Sequence, residues 1–162
     1  MTNTQDLAEK VIKSSAAKGL MIATAESCTG GLIAASLTGI SGSSAVVDRG
    51  FVTYSNDAKL EMLGVLEVTL KTHGAVSDKT ALEMAQGALG NSDADIAVAV
   101  TGIAGPGGGT PEKPVGLVYL AIATDKHVNV HKLMFGELKN RDEIRQATVE
   151  RALTELVSIL NE

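Results

Sequence analysis

No tryptophan occurs in the 162-residue chain, and its aromatic content is limited to two phenylalanines and two tyrosines. The core must therefore be built from valine, isoleucine, leucine, alanine and methionine, whose mostly small side chains let elements pack closely. A single cysteine, Cys28, excludes an internal disulfide and any zinc or iron–sulfur site that needs several thiolates. Fourteen lysines and arginines stand against nineteen aspartates and glutamates, a net charge of −5, and the basic residues are dispersed. The electrostatic footprint of a nucleic-acid binder is missing, which leaves a small molecule as the expected partner. No run approaches the roughly 20 apolar residues that cross a bilayer, and the N-terminus lacks the basic and apolar blocks of a signal peptide. The expectation is a cytoplasmic protein with no membrane partner.

What is present suits one domain over residues 1–162, long enough for folding to bury roughly 70% of the unfolded surface. Leu7, Val11, Ile12 and Ala16 recur at helical spacing between Thr4 and Lys18, and Gly19 is placed as a C-cap. Leu20 to Ala25 is a short apolar run that suits a buried strand, and a turn at Ser27 to Gly31 leads to a helix from Leu32 to Leu37. After a Gly/Ser-rich loop, Ala45 to Tyr54 has strand composition, and Asn56 is placed to cap a short helix through Leu63. Ser77-Asp78 opens a further helix that stops near Gly90-Asn91. Ile96 to Val100 reads as a strand feeding the glycine-rich loop Thr101 to Gly109. Val115 to Ala123 and Val128 to Phe135 form an expected hairpin, and Asn140 with Glu143 caps a last helix striped by Ile144, Thr148, Ala152, Leu156 and Ile159. Strands alternating with helices, plus one hairpin, predict an α/β fold: a three-layer α/β/α sandwich with a mixed, mostly parallel sheet.

Open α/β sheets bind ligands at the carboxyl ends of their strands, which directs attention to the turns after Ala25, Tyr54 and Val100. Ser27 sits at the first of these, ahead of a helix whose free N–H groups can hold an oxyanion or a phosphate, and Gly30 and Gly31 let a ligand approach the backbone. Read alone, Ser27 or Thr29 suits an ordinary helix N-cap better than a catalytic group. Cys28 is either a nucleophile with a thiol pKa lowered by the helix or a small buried side chain. A serine nucleophile needs a base, and with only His73, His127 and His131 available a Ser/His/Asp triad has weak support. Lys59, on the first turns of the helix after Tyr54, is a base if desolvated and a solvated surface lysine otherwise. The glycine loop lacks the Gly-Lys-Ser/Thr ending of a P-loop, so it offers backbone N–H groups and the Thr101 hydroxyl rather than a nucleotide fingerprint.

Five separated stretches, Ala25-Glu26-Ser27-Cys28-Thr29-Gly30-Gly31, Gly50 to Asn56, His73 to Ser77, Thr101 to Pro106 and Lys113 to Gly116, occur in the order that marks a known family. From its first helix to its last the chain resembles the CinA C-terminal family, whose members include stand-alone nicotinamide-nucleotide amidases. The resemblance implies hydrolysis of the carboxamide of nicotinamide mononucleotide to nicotinate mononucleotide and ammonia, in pyridine-nucleotide salvage. It implies no metal and no organic cofactor, and commonly a homodimer. Carried over by position, Ser27 matches the nucleophile, Lys59 the base, and Tyr54 a hydroxyl that relays or positions the proton. Oxyanion and substrate contacts fall to Glu26, Cys28, Thr29, Gly30, Gly31, Thr101, Gly102 and Gly105. Arg141 and Arg145, one helical turn apart, are the candidates for the phosphate. Glu26 either bonds a ribose hydroxyl or orders the turn. Gly107 stands where an acidic or polar residue is often expected. The alternative is a non-catalytic nucleotide-binding or regulatory module of the competence/damage-inducible family, and a third reading is a cysteine-based amidase or redox sensor.

Overall fold

A computed structural model describes residues 3–136 and 140–162. Local signals set most helix ends. Helix α1 (Thr4–Lys18) begins where the Asn3 side chain accepts the Asp6 N–H, and it stops at Gly19 with φ at 66°. The Ser77 and Asn140 side chains likewise cap α5 (Asp78–Gly90) and α6 (Arg141–Leu160). For α3 (Asn56–Leu63) the cap is Ser55, whose hydroxyl accepts the Ala58 N–H at 3.0 Å, so the expected cap at Asn56 is one residue late. Helix α2 (Leu32–Thr38) follows the turn after the first strand.

One helix has no counterpart in the sequence reading. Helix α4 (Glu67–His73) buries only Thr69 and leaves Leu66 and Val68 exposed, so it carries no apolar stripe to detect. It is anchored instead by Glu83 of α5, which accepts the Leu66 N–H and the Thr69 hydroxyl.

The strands are β1 (Ile22–Glu26), β2 (Val47–Val52), β3 (Ile96–Gly102), β4 (Leu117–Ala123) and β5 (Val128–Met134), in the sheet order β2-β1-β3-β4-β5. The second strand in that order, β1, is parallel to both neighbours, and β4 is antiparallel to β3 and β5, so β4 alone runs against the other four. The sheet is mixed as expected. The stretch Ala45 to Tyr54 yields a shorter strand than its composition suggests because Ser43–Ala45 winds into a 3-10 turn first.

Side chains alternate across each strand and divide the core in two. Ile22, Val98, Val100, Val118, Leu120 and Ile122 face α1, α2 and α6 in a layer of branched aliphatics. Ala23, Ala25, Ala97, Ala99, Ala121 and Ala123 face the other way, against Ala81, Met84, Ala85 and Ala88 of α5 and Leu63 at the end of α3. Short side chains on both partners draw these helices close to the sheet. At Gly87 an added Cβ would lie 1.8 Å from the Leu63 carbonyl oxygen, so the α3–α5 contact requires glycine there.

Candidate active site

The same alternation continues past the end of β1 and sends consecutive side chains to opposite layers. Glu26 turns toward α2. Its Oε1 accepts the Thr29 hydroxyl at 2.6 Å and the Ile33 N–H at 2.8 Å, and its Oε2 accepts the Ala34 N–H at 3.0 Å. The helix N–H groups expected to serve a ligand are thus taken by a buried carboxylate. Glu26 orders the turn, and neither Ser27 nor Thr29 is the N-cap, which is Gly31.

Ser27 turns toward α3, where Lys59 Nζ lies 2.9 Å from Ser27 Oγ. The ammonium nitrogen also donates to the carbonyls of Thr53 at 2.8 Å and Tyr54 at 3.4 Å. Lys59 is 1% exposed, and among the described residues no carboxylate forms an ion pair with it. Burial holds its pKa below the ordinary lysine value. A lysine desolvated in this way is poised to be neutral and to accept the proton of a hydroxyl.

Cys28, the other nucleophile considered, is disfavoured. Burial pushes its thiol up to about 12, its own backbone N–H works against that shift, and the charge of Glu26 adds to it. The lowering expected from a helix N-terminus is not realised, and the sulfur stays a protonated, buried thiol at neutral pH.

Beside the pair, the Ser27 N–H donates to Val100 O and the Gly30 N–H returns to Ser27 O, both at 3.1 Å. Among the described residues no other residue accepts from the N–H groups of Cys28 and Thr29, and that of Cys28 meets only its own sulfur. Gly30 (φ 59°) and Gly31 (φ 108°) serve the left-handed turn rather than the approach of a ligand, since a Cβ at Gly30 would meet the Arg145 guanidinium. Ser27, Cys28, Lys59, Thr101 and Gly105 line a cavity of about 270 Å³. It adjoins a groove of about 1030 Å³ between the Pro106–Thr110 loop and the start of α6, which shares Arg141 with it.

The remaining candidates are dispersed more than their spacing suggests. The Thr101 hydroxyl donates to Ala75 O at 2.7 Å. Gly102 makes room for Val118 and the Leu117 carbonyl across the β3–β4 pair, and the Ile103 N–H is taken by Leu117 O, which removes one amide from the expected donor run. The Tyr54 hydroxyl, on a residue 64% exposed that lines the same cavity as Ser27 and Lys59, accepts from Arg141 Nη2 at 3.2 Å, and the Tyr54 carbonyl accepts from Lys59. Arg141 also donates to Gly105 O at 2.7 Å. Arg145 does not join it on one anion: its Nε and Nη2 donate to the carbonyls of Cys28 and Thr29, at 3.1 and 3.2 Å. These carbonyl contacts escape sequence reading because any residue supplies a carbonyl.

Comparison with known proteins places this arrangement in a family. The profile described as the CinA C-terminal domain matches residues 4–160. The chain belongs to the CinA C-terminal domain family. A solved structure, the competence/damage inducible protein CihA of Agrobacterium tumefaciens, is 59% identical over 98% of this chain and 96% of its own, with a TM-score of 0.95. The CinA superfamily protein KP700603 of Klebsiella pneumoniae is 36% identical over 98% of each chain, with a TM-score of 0.93. Among curated relatives, a CinA-like protein of Chloroherpeton thalassium is 58% identical over 76% of this chain and 29% of its own. One of Kosmotoga olearia is 47% identical over 94% of this chain and 38% of its own. The chain thus spans roughly a third of the length of these curated CinA relatives. In this CinA domain no described helix is long and apolar enough to cross a membrane. Among its described residues no group of three or more His, Cys, Asp or Glu is arranged to hold a metal ion.

Proposed function

We propose that this CinA domain is an amidohydrolase of the Ser/Lys type that converts nicotinamide mononucleotide to nicotinate mononucleotide and ammonia. The observation that carries the reading is the 2.9 Å contact between Ser27 Oγ and a lysine that is buried and, among the described residues, unpaired by any carboxylate. A lysine kept only for stability has no need of that burial, which disfavours its charge. Neutral Lys59 takes the Ser27 proton as Oγ bonds to the carboxamide carbon, and the free amide of Cys28 receives the oxyanion. Lys59 returns the proton to the departing nitrogen, ammonia leaves, and a nicotinoyl ester remains on Ser27. Water, deprotonated by Lys59 in the same way, cleaves the ester to nicotinate and restores the serine. Arg141, at the junction of cavity and groove, is the cation placed for the substrate's phosphate, a role in which Arg145 takes no part. A homodimer is part of the proposal by family resemblance alone.

The test is ammonia release from nicotinamide mononucleotide by the wild type and by Ser27→Ala, Lys59→Ala and Cys28→Ala. Turnover that survives in Cys28→Ala and vanishes in the other two is expected. Nucleotide binding without turnover, unchanged in Ser27→Ala, replaces the enzyme by a binding module. Robust turnover by pure Ser27→Ala overturns the mechanism.

A further inference from the structure

Arg145 is half-buried on the second turn of α6, and among the described residues no carboxylate is paired with it. Its side chain reaches across to the turn that carries Ser27. One edge of the planar guanidinium, Nε and Nη2, spans two successive carbonyls, Cys28 O and Thr29 O. That bidentate fit is what a rigid fork achieves and a lysine ammonium does not.

The consequence follows from peptide geometry. In a trans peptide the C=O and N–H point in opposite directions, so fixing one fixes the other. Arg145 on Cys28 O turns the Thr29 N–H away from α6. The Gly30 N–H on Ser27 O in turn points the Cys28 N–H out of the turn. The two amides next to the nucleophile are thus held without an acceptor on any other described residue, while the Glu26 carboxylate ties the same turn to α2 from its other side. A cationic donor on these carbonyls also polarises the peptide chain and makes its N–H groups stronger donors.

We infer that Arg145 is a positioning residue: it clamps the Cys28 and Thr29 carbonyls so that the nucleophile turn presents its free amides to an oxyanion formed at Ser27. The inference rests on the Ser27 amidohydrolase reading. It separates the two arginines of α6, assigning Arg141 to the mouth of the cavity and Arg145 to the backbone behind the nucleophile.

The test measures kcat and KM for ammonia release in Arg145→Ala and Arg145→Lys, with thermal melting to select variants that remain folded. For Arg145→Ala a fall in kcat of roughly 10- to 100-fold is expected with KM within about twofold, the scale of a misplaced catalytic group. Arg145→Lys retains one of the two contacts and falls between that variant and the wild type. Added guanidinium at low millimolar concentration restores part of the kcat of Arg145→Ala. A raised KM with kcat unchanged reveals a phosphate contact instead and overturns the inference while the amidase reading stands. So does an unchanged kcat in both folded variants.

A second measurement separates the two ideas. A fluorophosphonate forms an Oγ–P bond at Ser27 as fluoride leaves, and its labelling rate is to fall in Arg145→Ala by a factor similar to that in kcat. If wild type is labelled but releases no ammonia, the amidase reading fails and the labelling ratio alone decides the role of Arg145. An unchanged labelling rate in the variant, or a wild type that is neither labelled nor active, overturns the inference.

Discussion

The two faces of the sheet are built to opposite specifications. Toward α1, α2 and α6 the strands present isoleucine, valine and leucine, which fill a thick layer of the core. Toward α5 they present alanine in β1, β3 and β4, so that the helices of that layer lie almost on the backbone. The thick layer removes more apolar area from water per residue. The thin layer brings α3 near enough for Lys59 to meet Ser27 at the end of β1 while remaining buried. One face supplies stability, and the other gives up apolar volume to place a lysine.

The largest effect that tests this division is on activity. Lys59→Met keeps the length and loses the base, and ammonia release is expected to fall roughly 10²- to 10⁴-fold. Its stability should change in the opposite sense. Because burial lowers the folded-state pKa of Lys59, the unfolded chain binds the proton more readily, and wild-type stability rises with pH between that lowered value and the ordinary lysine value of 10.5. The methionine variant lacks this dependence, so its stability relative to wild type is greatest below that window and shrinks as pH rises through it. Denaturant midpoints across the range check this, and kcat/KM of the wild type should show an ascending acid limb from the same group.

Core substitutions on each face come next. Leu120→Ala, on the aliphatic side of β4, should lower stability by about 2–5 kcal/mol through a cavity and leave the Ser27–Lys59 contact in place. Ala99→Val, on the thin side between Ala25 and Ala121, should cost about 1–3 kcal/mol by overpacking. Only the second is expected to reduce kcat in folded protein, because it lifts the helical layer that carries Lys59. Equal kcat losses per unit of lost stability in the two variants would remove the distinction between the faces.

Glu26→Gln probes the point where the thick layer meets the site. The amide replaces one carboxylate oxygen with a donor, leaving an N–H of α2 without its acceptor, at about 1.5–3 kcal/mol for a hydrogen bond to a charged group. The smallest effect belongs to Gly107, where an added Cβ meets nothing within 4 Å and φ is not left-handed. Gly107→Asp should change the melting free energy by no more than about 0.5 kcal/mol, as for an ordinary surface substitution.

Several of these features were legible in the residues themselves. Apolar spacing and Gly19 marked α1, capping side chains marked α5 and α6, and the apolar run before Ser27 marked a strand that ends at a turn. Ile96 to Val100 was legible as a strand from its continuous apolar run, and the difference in size between its two faces emerged only from the packed layers. Helix α4 was not legible, because polar contacts from Glu83 hold it. Nor was the task of Arg145: its partners are carbonyls 116 and 117 residues away, and no side-chain pattern encodes a carbonyl.

By itself, then, the sequence determined what depends on neighbours within a turn or two: the helix caps, the strand runs, and a serine at a strand end. Only the tertiary structure decided which side of the sheet each residue of the turn faces and what it meets there. Ser27 and Lys59 lie 32 positions apart and meet because parallel β1 and β2 end side by side and α3 folds back over alanine. Lys59 is ordinary in sequence. Burial, which exists only once α3 and α5 close over the sheet, is what changes its proton affinity and gives the pair its chemistry.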